Sequence, residues 1–376
     1  MTEWRHDFHA HPETAYAETR TAAKVAQLLR AFGWEVTTGL AGTGLVGTLV
    51  GSGGDSRVVG LRADMDALPI GESPGRAHGS TQAGRSHACG HDGHMAMLLG
   101  AAKILAERRD DVPGTVRAIF QPAEENEAGA KRMIEDGLFD RFPVDRVFGL
   151  HNWPLLEAGR FALRAGPVMA SCDLFEIVLT GKGTHAAMPH LGRDVLAAAA
   201  HLVAAAQTIV ARDIDPLEPA VVSVTQMQGG DTWNALPETV TLRGTARAFA
   251  KDVQDRIEER LGALVEGLAL AFAIKADFRY ERRYPPTVNE PEATRLAQAA
   301  AEAVVGAAGV ETDPKPSMGA EDFAFMLERR PGAYAWLGSG APGQAMLHNA
   351  AYDFNDAVLA AGASFWLALV GRFFRR

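Results

Sequence analysis

Predicted strands and helices alternate along the N-terminal part of the chain. Residues 18–32 carry apolar side chains at helical spacing, and the apolar strand of VVGLRADMD comes later, before a helix that begins near His91. The run TVRAIFQP predicts a buried strand followed by a helix at about 130–136, and RVFGLH predicts a strand ending on His151. This alternation is typical of an α/β fold with a mostly parallel sheet flanked by helices.

The length and the middle of the chain predict a second domain. A chain of 376 residues exceeds what a single hydrophobic core usually serves. From residue 173 the pattern becomes β-α-β-β-α, which favours a compact α+β unit with an antiparallel sheet, and the Pro-Pro pair after Tyr284 marks its end. We therefore predict a catalytic domain formed by 1–172 and 285–376, interrupted by a smaller domain at 173–284.

Candidate functional side chains lie where the predicted strands end. In open α/β sheets, ligands bind beyond the carboxyl ends of the strands. The residues that fall there are Asp64, Asp66, Glu124, Glu125 and His151. We expect them to meet in one crevice together with the segment HACGHDGH, although they are spread over some ninety positions of sequence.

The segment HACGHDGH has the composition of a metal site. It places a thiol and three imidazoles within eight residues, with Cys89 and His91 separated by one glycine. A thiolate with imidazoles suits zinc, cobalt or manganese-type divalent ions. The alternative is a buried Cys89 that only packs, beside histidines that cap a helix. Asp64 and Asp66, predicted to share one face of a strand, either ligate the metal or accept hydrogen bonds from its imidazole ligands.

The adjacent carboxylates Glu124 and Glu125 supply two further parts of a hydrolytic site. One can bind metal while the other takes a proton from water. By itself the run EENE is as well explained by a solvated acidic loop, and its position after a buried strand favours the functional interpretation. His151 is either a ligand or a core histidine, and His348 has little support from its local sequence.

Charge and composition restrict the partners. The formal net charge of -9 and the absence of a basic stripe argue against nucleic acid and favour a small-molecule ligand. No secretory signal and no run apolar enough to span a bilayer are recognised, so we expect no membrane association and a cytoplasmic location, with Cys89 and Cys172 as free thiols. The cluster His6, His9 and His11 is assigned to packing and capping.

Seven motifs spread over most of the chain resemble those of one known family. In order they are RADMDALP, HACGHDGH, FQPAEE, GLHNWP, GKGTHAAMPH, MGAEDFAFM and LHNAAYDFND. They resemble the di-metal aminoacylase/carboxypeptidase (zinc peptidase-like) family, in particular the amidohydrolase branch of hippurate hydrolases and auxin-conjugate hydrolases. The resemblance implies a catalytic domain with two divalent ions (manganese, zinc, cobalt or nickel) and a smaller lid domain that also forms a homodimer.

The resemblance also implies roles for single residues. The implied metal ligands are Cys89, His91, Glu125, His151 and His348. Glu124 would be the general base and acid, His185 of the lid would reach the active site of the other subunit and stabilise the oxyanion, and Asn234 would help to bind the substrate carboxylate. Other branches carry a histidine at the position of Asp64. Asp64 is therefore expected to support the ligands and not to bind metal itself. The runs EENEAGA and GTHAA also depart from the usual family pattern.

The expected reaction is metal-dependent hydrolysis of an N-acyl amino acid to a carboxylic acid and a free amino acid. Dipeptidase or N-acetyl-diamino acid deacetylase activity would use the same machinery with a different pocket. Two alternatives belong to other functional classes: a noncatalytic binding module, and a redox role for Cys89. Retention of every expected ligand and of both glutamates argues against the former, and the lack of a nearby partner cysteine argues against the latter.

Overall fold

The computed structural model describes residues 1–125 and 127–375; Asn126, within the EENEAGA run, lies outside them. The chain divides into two compact units, each built on its own core. Unit one comprises Met1–Val168, Val288–Lys315 and Asp322–Arg376. Unit two comprises Met169–Thr287 together with Pro316–Glu321.

The secondary structure follows the chain through unit one, into unit two and back. Up to the first crossing the elements are α1 (Thr2–Ala10), α2 (Thr19–Ala31), β1 (Glu35–Leu40), β2 (Gly44–Val50), β3 (Val58–Asp64), α3 (His91–Glu107), β4 (Thr115–Gln121), α4 (Gly129–Glu135), α5 (Leu138–Arg141), β5 (Arg146–Glu157), β6 (Phe161–Ala162) and β7 (Gly166–Met169). Unit two then contains β8 (Cys172–Thr180), β9 (Thr184–His185), α6 (Val195–Thr208), β10 (Ala220–Gln228), β11 (Ala235–Leu236), β12 (Thr239–Ala248), α7 (Lys251–Phe272) and β13 (Lys275–Tyr284). After the return the elements are β14 (Thr287–Asn289), α8 (Pro291–Val305), β15 (Val310–Glu311), α9 (Ala324–Arg329), β16 (Gly332–Gly340) and α10 (Leu359–Phe374).

The large sheet of unit one has the strand order β1-β2-β4-β3-β5-β16-β6-β15. Its centre is parallel, because β3 pairs in parallel with both β4 and β5, and β16 pairs in parallel with β5. The strands β1 and β2 extend it in antiparallel fashion. The predicted α/β architecture, with its mostly parallel central sheet and flanking helices, is confirmed, and the parallel strands end at the edge where the candidate site residues begin.

Helix α3 lies in the core of unit one. Nearly its whole surface is buried, including the polar first turn from His91 to His94, and it packs against α1 and α10. A helix that is apolar on all sides belongs in a core. The sequence MAMLLGAA therefore anchors the helix start, and with it the two donors that flank Gly90.

Unit two is an α+β layer of four antiparallel strands in the order β10-β12-β8-β13. Along β8 the side chains alternate between buried and partly exposed, with Phe175, Ile177 and Leu179 pointing into the core. Helices α6 and α7 contribute the apolar residues that cover this face, among them Leu202 and Ile257. The predicted antiparallel sheet with two helices is therefore present.

Several predicted boundaries differ from the structure. Strand β5 continues beyond His151 to Glu157, and Asp66 lies past the end of β3 rather than on it. Strand β13, at the edge of the four-stranded sheet, was not predicted, although its residues alternate between exposed and partly buried. Unit two also includes Pro316–Glu321, which the prediction gave to the first domain, because Ala170 donates its backbone N–H to Ser317.

The expectation that no segment is long and apolar enough to span a bilayer is wrong. Val195–Asp213 and Asp356–Phe374 both satisfy that criterion by length and composition. Each contributes to a core, the first through Leu202 and Ile209 and the second through Trp366 and Leu369. Burial covers 33% of the apolar window in the first segment and 56% in the second.

Candidate metal centre

Cys89 and His91 are brought together by the left-handed conformation of Gly90. Its φ of 90° turns the chain immediately before the first residue of α3. The backbone is closely covered there: a Cβ atom on residue 90 would overlap the side-chain oxygen of Asn152 and lie 2.9 Å from the Tyr352 hydroxyl. Glycine therefore permits both the turn and the packing that aim the two donors the same way.

We expect Gly90→Ala to lower stability by about 1–3 kcal/mol, the usual cost of a left-handed non-glycine residue, and to abolish tight metal binding. The binding loss follows because Asn152 and Tyr352 must shift to admit the new methyl group. Urea unfolding and metal content measure the two effects. Gly84→Ala is the matched control, since Gly84 also has a positive φ (75°) but has open space around its Cα. Equal metal content in both variants would contradict the assignment.

One buried group of donors contains Asp64, His91, His94 and His151, whose ligand atoms all lie within 4.8 Å of one another. Asp64 accepts a hydrogen bond from Arg62 Nη1 at 2.7 Å and lies 2.6 Å from His94 Nδ1. The oxygen that accepts from Arg62 is also 3.7 Å from His91 Nε2. Because Asp64 already has two close partners, the geometry favours its role as support for the imidazoles over direct ligation.

The surroundings of His151 favour the neutral imidazole, in which Nε2 can bind metal. Its Nδ1 donates to the backbone carbonyl of Asn152 at 2.7 Å, which leaves Nε2 with a lone pair 3.5 Å from Cys89 Sγ. Burial, with His94 close by, holds the pKa of His151 well below its usual range. A neutral imidazole with one nitrogen fixed by a carbonyl is the form in which histidine binds metals.

A second group joins Cys89, Glu125 and His348. His348 Nε2 lies 3.1 Å from Glu125 Oε1, and the backbone N–H of His348 donates to Ala88 at 2.8 Å. This hydrogen bond connects the loop that contains His348 to the HACGHDGH segment. Glu124 joins the same centre, because its carboxylate, that of Glu125 and a ring nitrogen of His91 also lie within 4.8 Å of one another.

The negative charges of this centre favour the binding of a cation. Burial disfavours an imidazolium, yet the carboxylates of Asp64, Asp66 and Glu125 raise the pKa of His91 to about 10. Burial and the carboxylates of Glu125, Glu124 and Asp64 raise the pKa of the Cys89 thiol well above its usual value. A divalent cation would neutralise this negative charge and favour the thiolate.

Unpaired polar atoms provide an independent test of whether a metal fits. In the described part of the chain, both ring nitrogens of His91, Oδ1 of Asp66 and Oε1 of Glu125 are buried and without a hydrogen-bond partner. Buried polar groups are normally hydrogen-bonded. These atoms have only ion-pair contacts, among them His91 Nδ1 with Asp66 Oδ1 at 3.3 Å and Glu125 Oε1 with His348 Nε2 at 3.1 Å, and a bound cation would satisfy them. Together with a thiol and the imidazoles of His151 and His348, they form a mixed sulfur, nitrogen and oxygen donor set that suits divalent transition metals.

The residues predicted for the lid lie in unit two and are described within it. His185 on β9 pairs with Ala235 on β11, which places it beside Asn234. Ala186 donates its backbone N–H to the carbonyl of Asn234 at 2.9 Å, and Thr232 donates to the Asn234 side chain at 3.1 Å. Both side chains are exposed, and the pairing brings two residues 49 positions apart into one patch.

Sequence reasoning missed three residues of the centre. His94 was part of the motif but was not assigned to the site, although it lies three residues after His91 and so on the same face of α3. Asn152 approaches His94 with its side-chain oxygen at 2.6 Å, and Tyr352 lies 2.6 Å from the Asn152 amide nitrogen. Helical spacing was a sufficient signal for His94, whereas nothing local marked Asn152 or Tyr352.

Comparisons with known proteins assign the chain to one family. Residues 60–372 match the model of peptidase family M20/M25/M40. The chain is 39% identical over 355 residues to N-acetyl-L-cysteine deacetylase of Bacillus subtilis, covering 94% of this chain and 83% of the relative. It is 39% identical over 371 residues to hippurate hydrolase of Campylobacter jejuni, covering 99% of this chain and 96% of the relative.

A solved structure extends the likeness to three dimensions. The Bacillus subtilis YXEP protein, described as a dinuclear metal binding peptidase from the M20 family, superposes with a TM-score of 0.85 at 33% identity. The match covers 98% of this chain and 96% of that one. The chain therefore belongs to peptidase family M20/M25/M40, in the amidohydrolase branch that its motifs resemble.

Proposed function

We propose that this protein hydrolyses the amide bond of N-acyl amino acids, releasing a carboxylic acid and a free amino acid. The observation that carries the proposal is the convergence of a thiol, imidazoles and two adjacent carboxylates at one buried centre, in which the ring nitrogens of His91 and Oε1 of Glu125 make no hydrogen bond. Hippurate hydrolase and N-acetyl-L-cysteine deacetylase, both 39% identical, are named for substrates of this class.

Five residues would hold two divalent ions, namely Cys89, His91, Glu125, His151 and His348. Bound ions there would acidify a water molecule and polarise the amide carbonyl. Asp64 and Asp66 orient the set: Asp64 approaches His94 and His91, and Asp66 accepts the backbone N–H of Glu125 at 2.9 Å. Manganese, zinc, cobalt and nickel all suit these donors.

Glu124 acts as the general base and acid. It is 6% exposed and lies beside Glu125 and His91, so its carboxylate faces the place where water and substrate would react. It takes the proton of the attacking water and later delivers it to the departing nitrogen. From the exposed patch of unit two we assign oxyanion stabilisation to His185, donated to the active site of the other subunit, and binding of the substrate carboxylate to Asn234.

A homodimer through unit two is part of the proposal. It is supported by the position of β10 at the edge of the four-stranded sheet, where Met227 is 45% exposed and backbone groups are open to pairing. We also propose a cytoplasmic location, because a thiolate ligand such as Cys89 must be kept reduced.

Metal reconstitution tests the function. The protein is stripped of metal, reloaded with manganese, zinc, cobalt or nickel, and assayed on N-benzoyl, N-acetyl and indoleacetyl amino acids beside dipeptides. We expect two ions per chain and metal-dependent hydrolysis of the N-acyl substrates. Cys89→Ala should lose bound metal and activity, because it removes the sulfur donor. Cys172→Ala, which removes the other free thiol, should retain both.

Each other result points to a different function. Faster cleavage of dipeptides would replace the proposal with a dipeptidase, and hydrolysis of an N-acetyl-diamino acid alone would replace it with a deacetylase. Two bound ions without hydrolysis of any N-acyl amino acid would contradict the proposed substrate class. No metal binding would leave a noncatalytic binding module.

A further inference from the structure

Glu18 is a buried carboxyl in unit one with no part in the mechanism above. It precedes α2 and is fully buried. Its Oε1 accepts the backbone N–H of Ala123 at 2.9 Å, and its Oε2 accepts the Thr43 hydroxyl at 2.7 Å. The first of these contacts reaches the residue immediately before Glu124, across 105 positions of sequence.

The backbone N–H of Ala123 requires a hydrogen-bond acceptor such as Glu18. It has a φ of 54°, in the left-handed region that residues other than glycine rarely adopt. It is completely buried, and its carbonyl accepts the backbone N–H of Gly129 at 2.9 Å. Strained backbone persists only where its surroundings hold it, and a buried N–H without an acceptor is costly. The conformation of Ala123 sets the direction in which the chain presents Glu124.

Two other carboxylates hold the same loop at different points. Asp66 accepts the backbone N–H of Glu125 at 2.9 Å, and Asp322 accepts that of Ala130 at 2.8 Å. Both carboxylates also contact other residues: Asp66 Oδ1 lies 3.3 Å from His91 Nδ1, and Asp322 accepts a hydrogen bond from the Gln121 side chain at 2.7 Å. Glu18 is in none of the donor groups of the metal centre, so its replacement tests the loop without removing a metal donor.

We propose that Glu18 is a positioning residue for Glu124, holding the backbone of Ala123 so that the general base points into the metal centre. This inference rests on the proposed amide hydrolysis. Glu18 itself touches neither substrate nor metal; it acts through the N–H of Ala123. A displacement of about 1 Å at a catalytic group can lower the rate 10²-fold. Loss of the contact between Glu18 and Ala123 is therefore expected to lower kcat.

The surroundings of Glu18 define a conservative variant. Burial raises the pKa of Glu18 to about 7, against the hydrogen bond from Thr43. In the protonated state the acid can donate to Thr43 and still accept from Ala123, since a hydroxyl both donates and accepts. A glutamine amide has the same shape, with an oxygen for Ala123 and an N–H for Thr43. Glu18→Gln should therefore preserve the loop, and Glu18→Ala should release it.

Glu13 provides the matched control. Its two carboxylate oxygens accept the backbone N–H groups of Arg20 at 3.1 Å and Thr21 at 2.8 Å, so it stabilises the start of the same helix α2 without contacting the Ala123 loop. Glu13→Ala should lower the melting temperature as Glu18→Ala does. If Glu18 only stabilises α2, the two variants should behave alike.

The test measures kcat, KM, metal content and melting temperature of the metal-loaded variants on the best N-acyl substrate. For Glu18→Ala we expect kcat to fall about 10-fold to 10²-fold, with KM and two bound ions retained. Glu18→Gln should recover most of kcat, and Glu13→Ala should keep it. Unchanged kcat in Glu18→Ala, or losses of kcat that follow melting temperature equally in Glu13→Ala, would overturn the proposal.

Hydrogen exchange separates this proposal from the proposed function. Peptides covering residues 119–130 should exchange faster in Glu18→Ala than in the wild type, but not in Glu18→Gln or Glu13→Ala. An inactive wild-type protein with this exchange pattern would contradict the substrate class and leave the positioning of the loop supported. An active wild type whose loop exchanges equally in all variants would contradict the role of Glu18 and leave the amide hydrolysis intact.

Discussion

Replacing Glu124 by glutamine is expected to lower kcat by about 10²–10⁴-fold, the contribution typical of a general acid-base group. Glutamine keeps the shape of the side chain but cannot accept the proton of the attacking water. Because Glu124 is not among the proposed ligands, the variant should still bind two ions and unfold at nearly the same temperature. Steady-state kinetics, metal content and melting temperature together measure the effect.

Two neighbouring glutamates serve as controls. Glu127→Gln removes a charge from the exposed part of the same loop and should leave kcat unchanged. Glu125→Gln should lose activity together with bound metal, because Glu125 approaches Cys89 and His348 as a donor. Near-normal turnover in Glu124→Gln, or loss of its metal, would show that the two glutamates have been assigned wrongly.

Replacing Asp92 by alanine is expected to destabilise the protein by about 3–5 kcal/mol, because it removes the fully buried carboxylate partner that Arg5 and His9 share. Asp92 Oδ2 lies 3.0 Å from Arg5 Nε and 2.7 Å from His9 Nδ1, and all three residues are fully buried. Urea unfolding at a fixed excess of one divalent ion measures the change. A loss below about 1 kcal/mol, the range of surface pairs, would contradict this account.

The effect should depend on pH in a definite direction. Burial opposes ionisation of Asp92, but Arg5 and His9 outweigh it and hold the pKa of that carboxyl well below its usual 3.8. Its contribution is therefore present above about pH 3.8 and is lost as pH falls toward the folded-state value. Burial also opposes protonation of His9, but Asp92 raises its pKa above 6.5, so that contribution is lost as pH rises through the raised value.

Asp7→Ala is the matched control on the same helix α1. Asp7 pairs with Arg20 at 2.7 Å, but the two side chains are 29% and 38% exposed. Solvent screens such pairs, so the loss should stay within about 1 kcal/mol. The contrast between Asp7 and Asp92 separates burial from the mere presence of an ion pair.

The Asp92 cluster adds detail to one interpretation of the sequence. Packing and capping roles are predicted for His6, His9 and His11, because no carboxylate or thiol stands at a matching strand end. His11 is the C-cap of α1, and the buried His9 is hydrogen-bonded to Asp92, 83 positions away, and to Glu72 at 2.7 Å, while Arg5 also contacts Asp353. Local sequence carries no information on such pairs, since the partners are brought together by the packing of distant elements.

The sequence by itself determined the elements and the donor chemistry. Apolar runs of strand length and 3.6-residue periodicity predicted β3, α3 and β4, because burial on one or both faces imposes those periods. The spacing of Cys89 and His91 around one glycine, and the pair Glu124 and Glu125 after a buried strand, predicted a hydrolytic metal centre. These inferences depend on neighbours along the chain, which a single sequence displays.

Tertiary structure alone decided which distant groups support that centre. The contacts of His94 with Asp64 and Asn152, and of Glu18 with Ala123, join elements 30 to 105 positions apart. Each places a polar group where solvent is excluded, and each is stable only because its partner arrives from another part of the fold. The order of strands in the sheet and the packing of α3 bring those partners together, and neither is encoded in local periodicity.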